Sequence, residues 1–541
     1  MFPASSMLSR FSLLLDSQPR PDLRPIPGSK PLIFEAAVLP PLIYYVALLF
    51  LAPPPPPAID SVYLRAVRNI LAFITGLLFF RLPLAYHVPQ SIGLTYQLGL
   101  VGLYGGCRVV DAFFISPYLF MHIPRRFKYV HWPRIETPRP EHSKEAKDWS
   151  NGGVREPYIH SGKNEERFEE ANIGRATGLD VTETSRSSAM DNTKVCNREI
   201  GRKKAKEAAG VTPSSVEETY FSLRRTLNGP DPEPVLETAT TESGWPQSFH
   251  DRACWALELE LSMRGVGFTW TTADVRHTRK TWLPTVGNRV HSILFRALPV
   301  LLVSWAVIKG IYMRYMVQSA DLPSEVDVSK SWELFDDELP LPMQLALTAA
   351  LGAFLMSAFS LGHSIFAIML SPLAPSPLAF FPPLYSTRVW DITSVRKFWS
   401  YGWHRLFARL FLVYGVWPGE WIERKITGKS PAEPADVGKV LGGFLPSAFV
   451  HCFSVRGVLG GDWGSATGEA KFFAINGFAV VFEGVMVRLI RQWRKRRGCP
   501  DRCWYDGYVG RIWWLTVLLG TGRNFARGWV KSGLVREIAF M

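Results

Sequence analysis

The sequence predicts an all-α membrane protein, a polytopic helical bundle of about eight transmembrane helices. Three observations predict it. Several apolar stretches are long enough to cross a bilayer, the first has no polar face, and basic and acidic residues are unevenly shared between the connections. A hydrocarbon core of ~30 Å needs ~20 apolar residues per helix. The stretches are Leu32 to Ala52, Val67 to Ala85, Ile92 to Phe120, Ile293 to Tyr312, Met343 to Leu370, Val437 to Val455, Phe472 to Ile490 and Ile512 to Leu519. The third is broken by Arg108 and Asp111, and the last is short unless it starts near Tyr508. A soluble core helix would show a polar residue every third or fourth position. Leu32 to Ala52 shows no such face.

Whole-chain averages conceal this partition. The 541 residues are 47% hydrophobic and 20% charged, with a mean hydropathy of +0.04. The 19 Trp and the net charge of +14 fit either nucleic acid or a membrane surface. The basic residues flank apolar segments, which removes nucleic acid as a partner and leaves the lipid bilayer. Six cysteines are too few for a disulfide scaffold. Cys499 and Cys503 have no second pair to complete a zinc set, so no metal site is expected. The scattered thiols fit a reducing, cytosol-facing location.

Three regions follow. Residues 1–123 carry the N-terminal membrane segments, residues 124–290 a polar cytosolic loop, and residues 291–541 the membrane core. Met1 to Lys30 is too weakly apolar for a cleaved signal peptide, so the first span is expected to act as the insertion signal. Pro53 to Pro57 reads as a stiff connector. Asn151 to Pro234 has few aliphatic or aromatic residues, a composition that predicts disorder or loose structure. Cys254 to Trp270 differs from the rest of the loop and reads as an amphipathic interfacial element.

Basic residues mark the cytosolic side of short loops. Arg491 to Arg497 puts the end of the seventh span in the cytosol, and the basic stretch 371–436 agrees. The acidic connector Gln318 to Pro340 then lies outside. Counting back places the N-terminus in the lumen, although Arg10, Arg20, Arg24 and Lys30 argue the other way. The expected location is a multi-pass position in the endoplasmic reticulum membrane.

Ionisable side chains within a membrane are costly and mark functional sites by default. The intramembrane candidates are Glu35, Arg81, Arg108, Asp111, His363, His451 and Glu483. A second concentration of chemistry lies in Arg396-Lys397-Phe398-Trp399-Ser400-Tyr401-Gly402-Trp403-His404-Arg405. From spacing alone, an interfacial helix anchored by Trp and Arg explains that run at least as well as a site does. His451 within an apolar span is equally open to a structural role, with His363 as its rival. Without internal repeats, a transporter that uses His363 and His451 as relays is the more remote reading.

Taken together, the motifs resemble a family. Arg396 to Arg405 resembles the R-x-F-W-x-x-x-W-[HN] signature of the wax synthase branch of membrane-bound O-acyltransferases. Pro446 to His451 resembles that branch's S-G-x-x-H element, 47 residues beyond His404. Further matches are the runs at Arg252, Phe380 and Phe472, so the resemblance covers about half the chain. It is most similar to fungal acetyltransferases of terpenoid and meroterpenoid pathways. Ala448 departs from the usual Gly, and Cys452 stands where plant wax synthases often carry Glu.

The resemblance implies a fold of that family and an acyl transfer from acetyl-CoA, as a cosubstrate rather than a bound cofactor, to a lipophilic alcohol. A long-chain wax-ester synthase acting on a fatty alcohol is the alternative. It assigns His451 as catalytic and brings His404 with it. A neutral imidazole is suited to take the alcohol proton. Trp403, Trp399 and Ser447 are candidates for oxyanion or substrate contacts. Arg388, Arg396, Lys397 and Arg405 are candidates for the CoA phosphates, although ordinary positive-inside placement explains each equally well. His404 and His451 are expected to line one tunnel, open to CoA from the cytosol and to the alcohol from the membrane.

Overall fold

A computed structural model describes residues 20, 23–52, 62–120, 122–124, 127–131, 234–238, 245–246, 248–266, 268, 270, 286–317, 335–336, 339–370, 381, 384–385, 389–404, 406–430, 433–500 and 503–541. Each of the eight apolar stretches lies in a helix. In chain order these are α1 (Phe34–Leu49), α2 (Val62–Ala85) and α3 (Ile92–Leu119). After α4 (Phe249–Leu261) come α5 (Arg289–Tyr315) and α6 (Leu341–Leu370). The short α7 (Val395–Lys397) runs into a π-helical turn, Phe398–Gly402. α8 starts at Ala408–Phe411, passes a second π-turn at Leu412–Val416 and ends as Trp417–Thr427. α9 (Asp436–Arg456), α10 (Trp463–Arg496), α11 (Asp506–Lys531) and α12 (Leu534–Ala539) complete the chain.

Among the described residues, α2, α3, α5, α6 and α10 are long and apolar enough to cross a membrane. α1 is apolar but shorter, at 16 residues. α9 and α11 are long, at 21 and 26 residues, yet polar side chains interrupt their apolar runs. Only 17% of the apolar window of α5 is buried inside the protein. The remaining Leu, Val and Phe side chains face outward, as a lipid-facing helix requires. The basic stretch 371–436 was expected to be a connection, and it holds α8.

The chain divides into two units, residues 1–129 with 236–541 and residues 130–235. Nearly all of the second lies outside the described residues, as do Pro53 to Pro57 and most of the acidic connector after α5. Two five-residue strands, Phe127–His131 and Pro234–Thr238, stand at the ends of the long polar segment.

Three helices frame the candidate site. α9, α10 and α11 run antiparallel, as their side-chain contacts pair in opposite chain order: His451 with Glu469, Glu469 with Trp529, Asn476 with Thr521 and Glu483 with Trp513. Asp462 starts α10 by accepting from the Gly464 and Ser465 amides, satisfying N–H groups that a first turn leaves free. α8 folds back along α9 through two glycine pairs. A Cβ on Gly415 would strike the Gly442 carbonyl oxygen, and one on Gly419 the Gly438 carbonyl oxygen. Small residues four apart on both helices allow this backbone approach. Pro446 has no amide proton to give the Gly442 carbonyl four residues earlier, so that carbonyl is available to face α8.

The segment expected at the membrane interface is instead built into the core. α4 packs Trp255, Ala256 and Leu259 against α1 to α3, together with Phe268 and Trp270. Arg252 donates to the Leu49 and Ala52 carbonyls at the end of α1. Arg108 on α3 in turn donates to the carbonyls of Leu259, Ser262 and Met263 at the end of α4. Each arginine supplies the partners that a helix C-terminus lacks.

Candidate active site

His451 lies five residues from the end of α9 and stacks on Phe473 of α10, with ring centroids 4.3 Å apart at 23°. Its Nδ1 is 2.8 Å from the Tyr96 hydroxyl of α3 and 3.2 Å from Oε2 of Glu469. The Tyr96 hydroxyl donates to the same Oε2 at 2.9 Å. Oε1 of Glu469 accepts the Trp529 indole N–H of α11 at 2.7 Å. Glu469 is fully buried, so both oxygens require partners, and both have them.

Proton accounting selects which ring nitrogen carries the proton of a neutral imidazole. Tyr96 has one proton and gives it to the carboxylate, so its oxygen accepts at Nδ1. Both neighbours of Nδ1 then act as acceptors, which puts the proton on Nδ1 and the lone pair on Nε2. A neutral imidazole with a free Nε2 lone pair can act as a general base.

His404 follows the π-turn that carries Trp399. Its ring packs on Phe359 of α6 (4.7 Å) and on Trp403 (5.0 Å). Its Nδ1 is sealed from solvent and has no hydrogen-bond partner among the described residues. His451 acts electrostatically on His404. An aromatic series joins them: His451 stacks on Phe473, which packs on Trp399 at 5.6 Å, which meets Trp403 at 5.8 Å.

The remaining candidates divide by their partners. Ser447 is buried one turn before His451 on the same face of α9. The Trp399 indole N–H is engaged by Asn476 Oδ1 at 3.1 Å. Asn476 in turn donates to Thr521. Glu483 accepts from the Val395 amide at 2.8 Å and from the Trp513 indole at 3.1 Å. It therefore anchors the start of the Trp399-bearing segment. Asp111 pairs with Arg409. His363 takes a contact from Arg264 at 3.4 Å. Arg396 acts electrostatically on Lys439 of α9. Lys397 donates its amide to the Ser394 cap. Arg388 and Arg405 lie outside the described residues. No group of three or more His, Cys, Asp or Glu among the described residues could hold a metal.

Residues 381–475 match the profile of the membrane bound O-acyl transferase family. This stretch is similar to the membrane-bound O-acyltransferases. The matched stretch contains Trp399, Trp403, His404 and His451, and Glu469 as well. Similar proteins include "Acetyltransferase eriL" of Hericium erinaceus, 25% identical over 44% of this chain and 58% of its own length. Another is "O-Mevalon transferase macI" of Penicillium terrestre, 24% identical over 51% of this chain and 63% of its own length. A third, "Acetyltransferase ple2" of Rhodocybe pseudopiperita, is 25% identical over 53% of this chain and 72% of its own. The first two are thus matched over less than two thirds of their lengths. No solved structure matches the chain.

Glu469, Tyr96 and Trp529 did not stand out in the sequence. Glu469 sits near the start of α10, where an acid reads as a solvated end. Its spacing carried the signal, since Ala466, Glu469, Phe473, Asn476 and Val480 form one buried stripe of that helix.

Proposed function

We propose that the protein is a membrane-bound O-acetyltransferase that moves the acetyl group of acetyl-CoA to a hydroxyl of a lipophilic terpenoid or meroterpenoid. The observation that carries this reading is the placement of His451, with Nδ1 held by Tyr96 and Glu469 and Nε2 left as the base. Acetyl-CoA is a cosubstrate that reaches the site from the cytosolic face of the endoplasmic reticulum membrane, and the alcohol arrives through the bilayer. Two of the similar proteins are named acetyltransferases, which favours acetyl over a long acyl chain.

His451 Nε2 takes the hydroxyl proton as the alcohol oxygen forms its bond to the thioester carbonyl carbon. The carbonyl oxygen becomes an oxyanion, which needs preorganised donors. His404 and Trp403 are assigned that role. Collapse breaks the C–S bond, and the departing thiolate receives the proton from Nε2. The products are the acetate ester and free CoA. Arg396 and Lys397 are assigned to the CoA phosphates.

Microsomes from cells expressing the chain should transfer label from acetyl-CoA to a terpenoid alcohol. His451→Ala at unchanged protein level should abolish transfer. Retained activity would remove His451 as the base, and a preference for palmitoyl-CoA with fatty alcohol would replace this reading with wax-ester synthesis.

A further inference from the structure

We propose that Glu469 and Tyr96 are positioning residues that hold His451 with its proton on Nδ1 and stabilise the imidazolium formed during transfer. The proposal rests on the acyl-transfer reading above and adds to it a control of the base that the sequence motifs did not include.

The geometry leaves little freedom. Glu469 reaches His451 from a different helix, and its carboxylate has no exposed surface. Trp529 fixes Oε1, and Tyr96 and His451 share Oε2. Tyr96 also contacts Nδ1 directly, so the ring is held from two sides while Phe473 supports its face. Moving the proton to Nε2 instead would leave two acceptors facing the Nδ1 lone pair.

When Nε2 takes the alcohol proton, the ring becomes cationic within a buried apolar wall. A carboxylate 3.2 Å from Nδ1 offsets that charge as it develops. The same logic relates a buried carboxylate to the base histidine in serine hydrolases, where losing the charge while keeping the shape costs roughly 10,000-fold in turnover. Here the carboxylate is shared with a tyrosine, so an effect of about 100- to 10,000-fold is expected.

The other ionisable groups acting on the pair or acted on by it are Tyr96 of α3, Cys452 of α9 and His404 of the connection before α8. α11 contributes the neutral Trp529.

The test uses the full chain in microsomes, with acetyl-CoA and an accepted alcohol, and compares Glu469→Gln, Tyr96→Phe and His451→Ala. Glu469→Gln is expected to lower kcat by about 100- to 10,000-fold with little change in KM. Tyr96→Phe keeps the ring and removes one hydroxyl, and a loss of roughly 10-fold in kcat is expected. Wild-type kcat in Glu469→Gln, or a loss carried by KM alone, would overturn the proposal. If that variant fails to accumulate, Tyr96→Phe decides it, and unchanged turnover there overturns it. Activity in His451→Ala refutes the base assignment itself. An inactive His451→Ala beside a fully active Glu469→Gln refutes only the positioning role.

Discussion

Asp111 and Arg409 form a two-point ion pair between helices nearly three hundred residues apart in sequence. The Arg409 Nε and a terminal nitrogen reach the two Asp111 oxygens at 2.8 and 3.1 Å. Ser116 joins both, donating to Asp111 and accepting from Arg409, and the Trp270 indole donates to Ser116. The Arg409 guanidinium also lies over the rings of Trp270 and Trp417, 5.2 Å from each centroid. This junction ties the π-turn of α3 to the start of α8, and so ties the N-terminal helices to the stretch that bears His404.

Breaking one side of this pair should be far worse than replacing both. Arg409→Ala leaves a buried carboxylate without its charge partner, at a cost of roughly 3–5 kcal/mol. Asp111→Asn with Arg409→Gln removes both charges and should recover most of that loss. Thermal unfolding of detergent-purified protein checks this. A single variant as stable as the double would show that the pair contributes little to joining the two halves.

Much of the architecture was legible because a bilayer imposes a length on apolar runs. That length is printed in the sequence, and each of the eight stretches is helical. His404 and His451 were legible through their motifs. What surrounds them was not, because the partners come from other helices. Tyr96 lies 355 residues from His451, and nothing local to either marks the contact. Asp111 and Glu483 were singled out as costly charges. That cost is met by Arg409 and by the Val395 and Trp513 N–H groups rather than by substrate. Burial of the Cys254 to Trp270 segment was hidden for a related reason. Its alternating apolar and acidic residues fit an interfacial helix until Arg108 supplies partners for the end of α4 and Arg252 ties its start to the end of α1.

The α8–α9 hairpin should lose stability in acid through Glu423. This residue accepts from the Gly438 amide at the start of α9 and from Lys429. Burial opposes its ionisation, but these donors outweigh burial and hold the carboxyl below its usual value of 4.5. A carboxyl depressed on folding adds stability that is present above its unfolded pKa and is lost as pH falls through the folded value. Glu423→Gln should therefore be less stable than the parent by about 1 kcal/mol near pH 7, the typical worth of a helix-capping group. The difference should shrink below about pH 4.5. Melting curves of both proteins across that range test it, and a gap that persists unchanged in acid would show that ionisation is not its source.

His404 should act through its nitrogen atoms more than through its ring. The ring packs on Phe359 and Trp403, and a phenylalanine would preserve most of that contact. The imidazole also offers donor capacity beside the aromatic wall that leads to His451, and its Nδ1 has no partner among the described residues. A donor aimed at the developing oxyanion is worth roughly 100- to 1,000-fold in turnover. His404→Phe should therefore lose about that much kcat while accumulating normally. His404→Asn, which retains an N–H donor, should fall between it and the parent. Equal losses in the two variants would show that ring packing, and not hydrogen bonding, is what His404 supplies. Full activity in His404→Phe would leave stabilisation of the oxyanion to Trp403 and its neighbours.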